Sequence, residues 1–185
     1  MNRRHLVLGA VGVAAAGGGV GWNLWRQPAP PPAAVLDAPT LAFWQASFPQ
    51  PDGSELAMAT LRGQPLVLNF WATWCPPCVK EMPELDRFAK AFASGSGRTE
   101  RSGRSVRVLG LAVDNPTAVR QFLAKAPVSY AIALAGFAGT DLSRQLGNST
   151  GALPYTVVFD RSGRVVQRKL GETSFEELSR WAQSL

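Results

Sequence analysis

The chain of 185 residues contains only two cysteines, and they are three positions apart. Cys75 follows an apolar run at residues 66–70, and Cys78 lies in a helix-like segment that begins with Pro76 and Pro77. Residues i and i+3 in the first turn of a helix share one face, so the pair can form a disulfide without distorting that helix. The spacing therefore predicts a strand–helix junction with a redox-active pair. A static disulfide is the alternative, although closing so short a loop would constrain the unfolded chain little.

The two cysteines differ in their predicted chemistry. Cys75 lies at the predicted N-cap, where unpaired N–H groups and the helix dipole favour a thiolate. Cys78 lies one turn inside the helix and is shielded there. We therefore expect Cys75 to attack a disulfide of a partner protein, and Cys78 to attack the mixed disulfide and release the reduced partner. Pro76 and Pro77 occupy positions whose N–H groups have no helical partner, and they stiffen the loop.

Strand-like and helix-like segments alternate along residues 41–185 and predict an α/β fold. The predicted strands are 41–47 and 55–58, which form a hairpin, followed by 66–70, 106–113, 130–134, 155–159 and 164–170. The predicted helices are 76–93, 116–125 with Asn115 as its cap, a short turn at 142–146, and 174–184. Strands joined through helices imply a parallel part of the sheet, here extended by a C-terminal antiparallel hairpin.

The first 40 residues are predicted to direct the protein to a membrane. Arg3 and Arg4 precede residues 6–25, which carry no charged side chain and are just long enough to cross a bilayer of about 30 Å. A cleaved export signal and an uncleaved anchor over residues 1–25 both fit this pattern, and both place the rest of the chain outside the cytosol. The proline-rich residues 26–40 are predicted to be a semi-rigid linker, so the folded domain is expected to cover residues 41–185.

Charge and histidine content exclude several classes of function. The net charge is +6, but the basic run at residues 97–104 contains no aromatic residue, so we interpret it as a solvated loop and expect no nucleic-acid partner. The single histidine is His5, in the N-terminal segment. Histidine-based acid–base catalysis and a four-ligand structural zinc site are therefore excluded. We expect neither a bound metal nor a cofactor.

Three motifs together resemble the thioredoxin superfamily. They are the nine residues 70–78 (FWATWCPPC), Glu81-Met82-Pro83 and Leu153-Pro154-Tyr155-Thr156. Within that superfamily, residues 41–185 are most similar to the TlpA/ResA-like thiol-disulfide oxidoreductases of the bacterial envelope. The resemblance implies a thioredoxin-like three-layer sandwich with a central mixed sheet, an N-terminal β-hairpin and a mid-chain strand–helix insertion at roughly residues 115–134.

The resemblance also implies a substrate-binding surface. In this family a proline before the third core strand is cis and faces the cysteine pair, and Pro154 occupies that position. The backbone of Leu153 would then pair with an extended substrate, with an exposed Trp74 beside it. The implied substrate-binding residues are Trp74, Pro76, Leu153 and Pro154.

A third implication concerns proton transfer. Glu81 occupies the place of an active-site glutamate of ResA-like proteins, as a carboxylate one turn after the cysteine pair. The alternative is an ordinary helix-surface glutamate. Asn69 stands where cytosolic thioredoxins have a buried aspartate, and because it cannot titrate it strengthens the case for Glu81. Pro83 is expected to kink the helix. We interpret Trp71 as a core residue and Asp114 as a cap or turn residue.

Two functions from different classes fit the sequence. The first is an exported, membrane-tethered reductase on the periplasmic side of the inner membrane, which reduces disulfides in extracytoplasmic client proteins. The family suggests apocytochrome c or copper-site cysteines as clients. A membrane thiol–disulfide electron donor would recharge the protein, since the envelope lacks a reducing thiol pool. The second is a Cu(I)-binding and delivery module that uses the same two cysteines, because soft thiolates suit Cu(I). The sequence leaves open whether the pair reduces or oxidises.

Overall fold

A five-stranded mixed sheet forms the centre of the fold. The computed structural model describes residues 36–93 and 105–185. In chain order the strands are β1 (Ser47–Pro49), β2 (Glu55–Ala57), β3 (Leu66–Trp71), β4 (Arg107–Ala112), β5 (Ala131–Leu134), β6 (Tyr155–Phe159) and β7 (Val165–Leu170). The α-helices are α1 (Ala38–Gln45), α2 (Pro76–Phe92), α3 (Pro116–Lys125), α4 (Gly139–Gln145) and α5 (Phe175–Ala182), and a 3₁₀ helix spans Met58–Leu61.

The order of strands in the large sheet is β5-β4-β3-β6-β7. Strands β3, β4 and β5 run parallel, whereas β6 and β7 are antiparallel to their neighbours. The carboxyl ends of β3, β4 and β5 therefore meet at one edge of the sheet, where ligand and catalytic sites of such folds commonly lie. This mixed sheet is the architecture predicted from the alternating strand and helix patterns.

Both faces of the sheet are covered by helices, and the side chains of β3 point alternately toward the two layers. All six residues of β3 are buried. Val67 and Trp71 point into a core shared with α2, α3 and α5. Leu66, Leu68 and Phe70 point into a second core that contains residues of α1 and α4. Because successive side chains of a strand face opposite sides, a strand that is buried along its whole length requires a layer on each face. The three-layer sandwich is confirmed.

The N-terminal hairpin is present but shorter than predicted. Strands β1 and β2 pair antiparallel around the turn at residues 50–54. The prediction of a strand over residues 41–47 is wrong for residues 41–45, which belong to α1. Asp37 caps this helix by accepting a hydrogen bond from the Thr40 backbone N–H at 2.9 Å. The first turn of α1 therefore includes residues 38–40, which the sequence pattern places in the linker. Burial of Phe43, whose ring stacks on Phe159 at 5.1 Å, holds the helix on the sheet.

The mid-chain insertion consists of α3 followed by β5. Asn115 caps α3 by accepting a hydrogen bond from the Thr117 backbone N–H at 2.8 Å, as predicted. Strand β5 extends the sheet as a parallel edge strand beside β4. Helix α2 continues across Pro83 without interruption.

Three predictions lie outside the described residues: the membrane segment at residues 1–25, the linker up to residue 35, and the basic loop over residues 97–104. Within residues 36–93 and 105–185, no helix combines the length and apolar character needed to cross a bilayer.

Candidate active site

The cysteine pair lies where β3 leads into α2. Cys75 is the N-cap residue of α2, with an extended backbone, and its sulfur accepts a hydrogen bond from the Cys78 backbone N–H at 3.3 Å. A disulfide joins the two residues, whose Cα atoms are 5.3 Å apart. Cys75 is 4% exposed and Cys78 is 0% exposed. Cys75 therefore keeps the small solvent exposure of the pair, which agrees with its predicted role as the attacking cysteine.

The turn before the cysteines is tied to the end of β4. The Asp114 Oδ2 atom accepts hydrogen bonds from the Thr73 backbone N–H at 2.8 Å and from the Thr73 hydroxyl at 2.6 Å. The Asp114 Oδ1 atom accepts a third bond from the Asn115 N–H at 2.6 Å. Charge-assisted bonds of this kind are stronger than neutral ones. Asp114 thus does more than cap a turn, because it fixes the segment that carries Cys75.

Glu81 lies in the interior and not on the helix surface, so the surface alternative is wrong. It is 2% exposed. Its Oε1 atom accepts a hydrogen bond from Asn69 Nδ2 at 2.7 Å, and its Oε2 atom accepts from the Thr173 N–H at 2.7 Å and the Thr173 hydroxyl at 2.9 Å. Burial raises the pKa of Glu81, and the nearby charge of Glu172 raises it further, while these three hydrogen bonds act in the opposite direction.

Thr173 is the contact that sequence reasoning missed. It lies in the connection between β7 and α5, 92 positions after Glu81. No motif or regular spacing links two residues so far apart. The sequence signal in this region, Ser174 three positions before Glu177, indicated only the start of α5, where the Ser174 hydroxyl does accept the Glu177 N–H.

The residues predicted to bind substrate lie around the pair. The Leu153–Pro154 peptide bond is cis, as the resemblance implied. The pairing of Phe70 with Tyr155 across β3 and β6 places Pro154 beside the end of β3 that leads to the cysteines. Trp74 is 62% exposed and Pro76 is also exposed. These positions agree with a substrate-binding surface, and substrate contact itself stays a prediction.

Two further predictions concern core packing and metal binding. Trp71 is buried, with its ring 5.5 Å from that of Phe122, and it belongs to the core as predicted. Among the described residues, no three histidine, cysteine, aspartate or glutamate side chains are grouped in a way that could hold a metal ion. Met82, the nearest methionine to the pair in sequence, is buried in the core between α2 and the sheet.

Comparison with known families identifies the fold family. The Redoxin family model matches residues 37–185. The chain belongs to the Redoxin family. This Redoxin protein is 29% identical over 136 residues to the thiol-disulfide oxidoreductase ResA of Bacillus cereus, covering 72% of this chain and 70% of that protein. It is 41% identical over 68 residues to the thiol:disulfide interchange protein DsbE of Pseudomonas aeruginosa, covering 37% of each chain.

Solved structures give the same result. The thioredoxin-related protein of Neisseria meningitidis serogroup B superimposes on this chain with a TM-score of 0.62 at 31% sequence identity. The match covers 76% of this chain and 100% of the Neisseria chain. The Redoxin protein is therefore a ResA-like member of the thioredoxin superfamily, and it is a thiol-disulfide oxidoreductase whose cysteine pair is Cys75 and Cys78.

Proposed function

We propose that the protein is an exported, membrane-tethered reductase of disulfides in extracytoplasmic client proteins. The observation that carries the proposal is the placement of the two cysteines at the start of α2, where Cys75 is the N-cap residue and keeps 4% exposure while Cys78, inside the helix, is 0% exposed. This asymmetry separates an attacking cysteine from a resolving one, which a static disulfide does not need. The uncharged segment at residues 6–25 and the proline-rich linker support export and tethering.

The exchange is balanced in bonds and electrons. The Cys75 thiolate attacks one sulfur of the client disulfide, so that a bond forms between Cys75 and the client while the client disulfide breaks. The Cys78 thiolate then attacks the Cys75 sulfur and displaces the second client thiolate. Two electrons pass to the client, its two thiolates take up the protons given up by the protein's thiols, and the Cys75–Cys78 disulfide remains.

Glu81 is assigned to proton transfer in this exchange. Glu81 lies one turn of α2 after Cys78, and like the two cysteines it is buried. Because burial raises its pKa, the carboxyl group can hold a proton closer to neutral pH than an exposed glutamate can. It is therefore suited to accept the Cys78 proton when the resolving thiolate forms.

Clients and electron supply are part of the proposal. The exposed ring of Trp74 and the half-buried Leu153 before the cis proline offer an apolar edge to an extended client segment, whose backbone we propose to pair with that of Leu153. Cysteine pairs of apocytochrome c or of copper sites are the clients that we propose. A membrane thiol–disulfide protein would return the electrons, since each turnover leaves the pair oxidised.

The reduction potential of the Cys75–Cys78 pair tests this function. We expect a value below about −220 mV when the full chain is titrated against dithiothreitol or glutathione. A value near −120 mV would instead indicate a disulfide donor. A Cys75→Ser/Cys78→Ser variant provides the blank. Absence of a reversible couple, together with stoichiometric retention of Cu(I), would favour the copper-delivery alternative.

A further inference from the structure

Asn69 is fully buried in the middle of β3, and its side chain makes an incomplete set of hydrogen bonds. The Nδ2 atom donates to Glu81 Oε1 at 2.7 Å and to the Thr156 hydroxyl oxygen at 3.1 Å. The Oδ1 atom is buried and has no hydrogen-bond partner in the described parts of the chain. Since buried amide oxygens are nearly always paired, this orientation of the amide needs a specific cause.

The ionised form of Glu81 supplies that cause. A charged carboxylate only accepts hydrogen bonds, so only the nitrogen of the Asn69 amide can face it. A neutral carboxyl group instead has a proton to donate, and the oxygen of the amide is then the group that should face it. The Thr156 hydroxyl both donates and accepts, so it can bond to Asn69 in either orientation.

The far side of Glu81 decides which oxygen takes the proton. The Thr173 backbone N–H donates to Oε2 at 2.7 Å, and a backbone N–H cannot become an acceptor. The Thr173 hydroxyl donates to the same oxygen at 2.9 Å. Oε2 is thus held as an acceptor, which leaves Oε1 as the oxygen to be protonated. Oε1 is the atom that faces Asn69.

We propose that Asn69 is a positioning residue whose side-chain amide rotates by about 180° when Glu81 takes up a proton. With the amide turned, Oδ1 accepts hydrogen bonds from both Glu81 and Thr156, so the buried neutral acid is paired, and Nδ2 replaces Oδ1 as the end of the amide without a partner among the described residues. An aspartate at position 69 could not do this, because it would add a second titrating group. The proposal rests on the proton-transfer role assigned to Glu81.

Other titratable groups surround this site and will contribute to its pH dependence. Glu172, before Thr173, forms an ion pair with Lys80 of α2 at 2.7 Å. Tyr130, which precedes β5, is buried, and burial and the Glu81 charge both raise its pKa. Cys75 and Cys78 do not titrate while they form the disulfide, so the oxidised protein isolates the response of Asn69.

The test is the side-chain amide signal of Asn69 in NMR spectra of the oxidised full chain, followed through the titration of the Glu81 carboxyl carbon. We expect both signals to shift with the same midpoint, and the nuclear Overhauser contact between the Asn69 amide protons and Thr156 to be lost below that midpoint, since only the present orientation places Nδ2 beside the Thr156 hydroxyl. Asn148 is a matched control, since it is also buried, but its Nδ2 donates to Ala152 O at 2.9 Å and its Oδ1 accepts from Gly151 N–H at 3.1 Å. The Asn148 amide signal should stay constant.

A second variant keeps the inference falsifiable. Glu81→Gln places an N–H donor toward Asn69 at every pH, so the Asn69 signal should become independent of pH and match its position at low pH in the unchanged chain. If Glu81 titrates while Asn69 does not respond, the rotation of the amide is refuted, and the proposed reductase function is unaffected. If Glu81 does not titrate in the folded protein, its proton-transfer role and the rotation of the Asn69 amide are both refuted.

Discussion

The two sulfurs of the disulfide differ in what can reach them, and single substitutions should reveal this. With Cys75 as the N-cap of α2, 4% exposed, and Cys78 fully buried inside the helix, Cys78→Ser leaves the attacking sulfur without its resolving partner. We expect this variant to accumulate a covalent adduct with a disulfide-containing peptide, observed by mass spectrometry without reductant. Cys75→Ser should give no adduct. Adducts formed only by Cys75→Ser would reverse the assignment of roles.

Glu81 makes stability depend on pH in a direction that can be stated. Burial raises its pKa above the ordinary value of 4.5, so the folded state binds this proton more tightly than the unfolded state. The resulting stabilisation is fully present below the unfolded pKa and is lost as pH rises through the folded pKa. We expect Glu81→Gln to have the higher free energy of unfolding above that window, by more than the ~0.5 kcal/mol of a typical surface change.

Chemical denaturation at several pH values measures this difference, which should narrow as the solution becomes more acidic. Glu55→Gln is the control, because Glu55 is exposed on β2. A lower stability of Glu81→Gln at neutral pH would show that the three hydrogen bonds to the carboxylate outweigh its burial.

The candidate catalytic residues that the sequence predicts are those that a short motif contains. Cys75, Cys78 and Glu81 lie within seven consecutive positions of one strand–helix junction, and helical spacing alone relates them. Thr173 and Asp114 make equally direct contacts with the site, but they reach it across 92 and 41 positions. Such contacts depend on how the sheet is assembled, which local patterns do not encode.

At the scale of elements, α1 forms where two local sequence signals conflict. Adjacent aromatic residues at Phe43 and Trp44 favour a strand by propensity. The preceding Asp37-Ala38-Pro39-Thr40 contains the signals of a helix N-terminus, an N-cap aspartate with proline in the first turn. Both aromatic rings are buried against Phe159 of β6, so tertiary packing agrees with the capping signal and outweighs strand propensity.

The first turn of α1 predicts where the domain can be shortened. A fragment that begins at residue 41 lacks Asp37, which caps α1, and Thr40, which is buried. Compared with a fragment that begins at residue 36, we expect it to lose about 1–2 kcal/mol of unfolding free energy. Asp37→Ala in the longer fragment should account for about 1 kcal/mol of this. Equal stability of the two fragments in urea denaturation would show that the first turn of α1 and its cap do not stabilise the fold.

At the scale of the whole molecule, the strand order explains why one edge of the sheet holds the site. Strand β3 is central, with parallel β4 on one side and antiparallel β6 on the other. This arrangement brings Asp114 from the end of β4 and Pro154 from the start of β6 to the segment that carries Cys75. The parallel half and the C-terminal hairpin that extends it followed from sequence patterns, whereas the pairing of β6 with β3 did not, because no local pattern relates strands so far apart in the chain.

The redox state of the pair should change the stability of the entire fold. Folding and reduction of the pair form a thermodynamic cycle. The difference in unfolding free energy between the oxidised and reduced forms is therefore proportional to the difference in reduction potential between the folded and unfolded chain. Each 30 mV corresponds to about 1.4 kcal/mol. A reductase has a folded state that favours the disulfide, so we expect the oxidised chain to resist guanidinium better than the reduced chain. The Cys75→Ser/Cys78→Ser variant should be insensitive to added reductant. Greater stability of the reduced form would mean that the fold favours giving its disulfide away, and the proposed direction of electron flow would then be wrong.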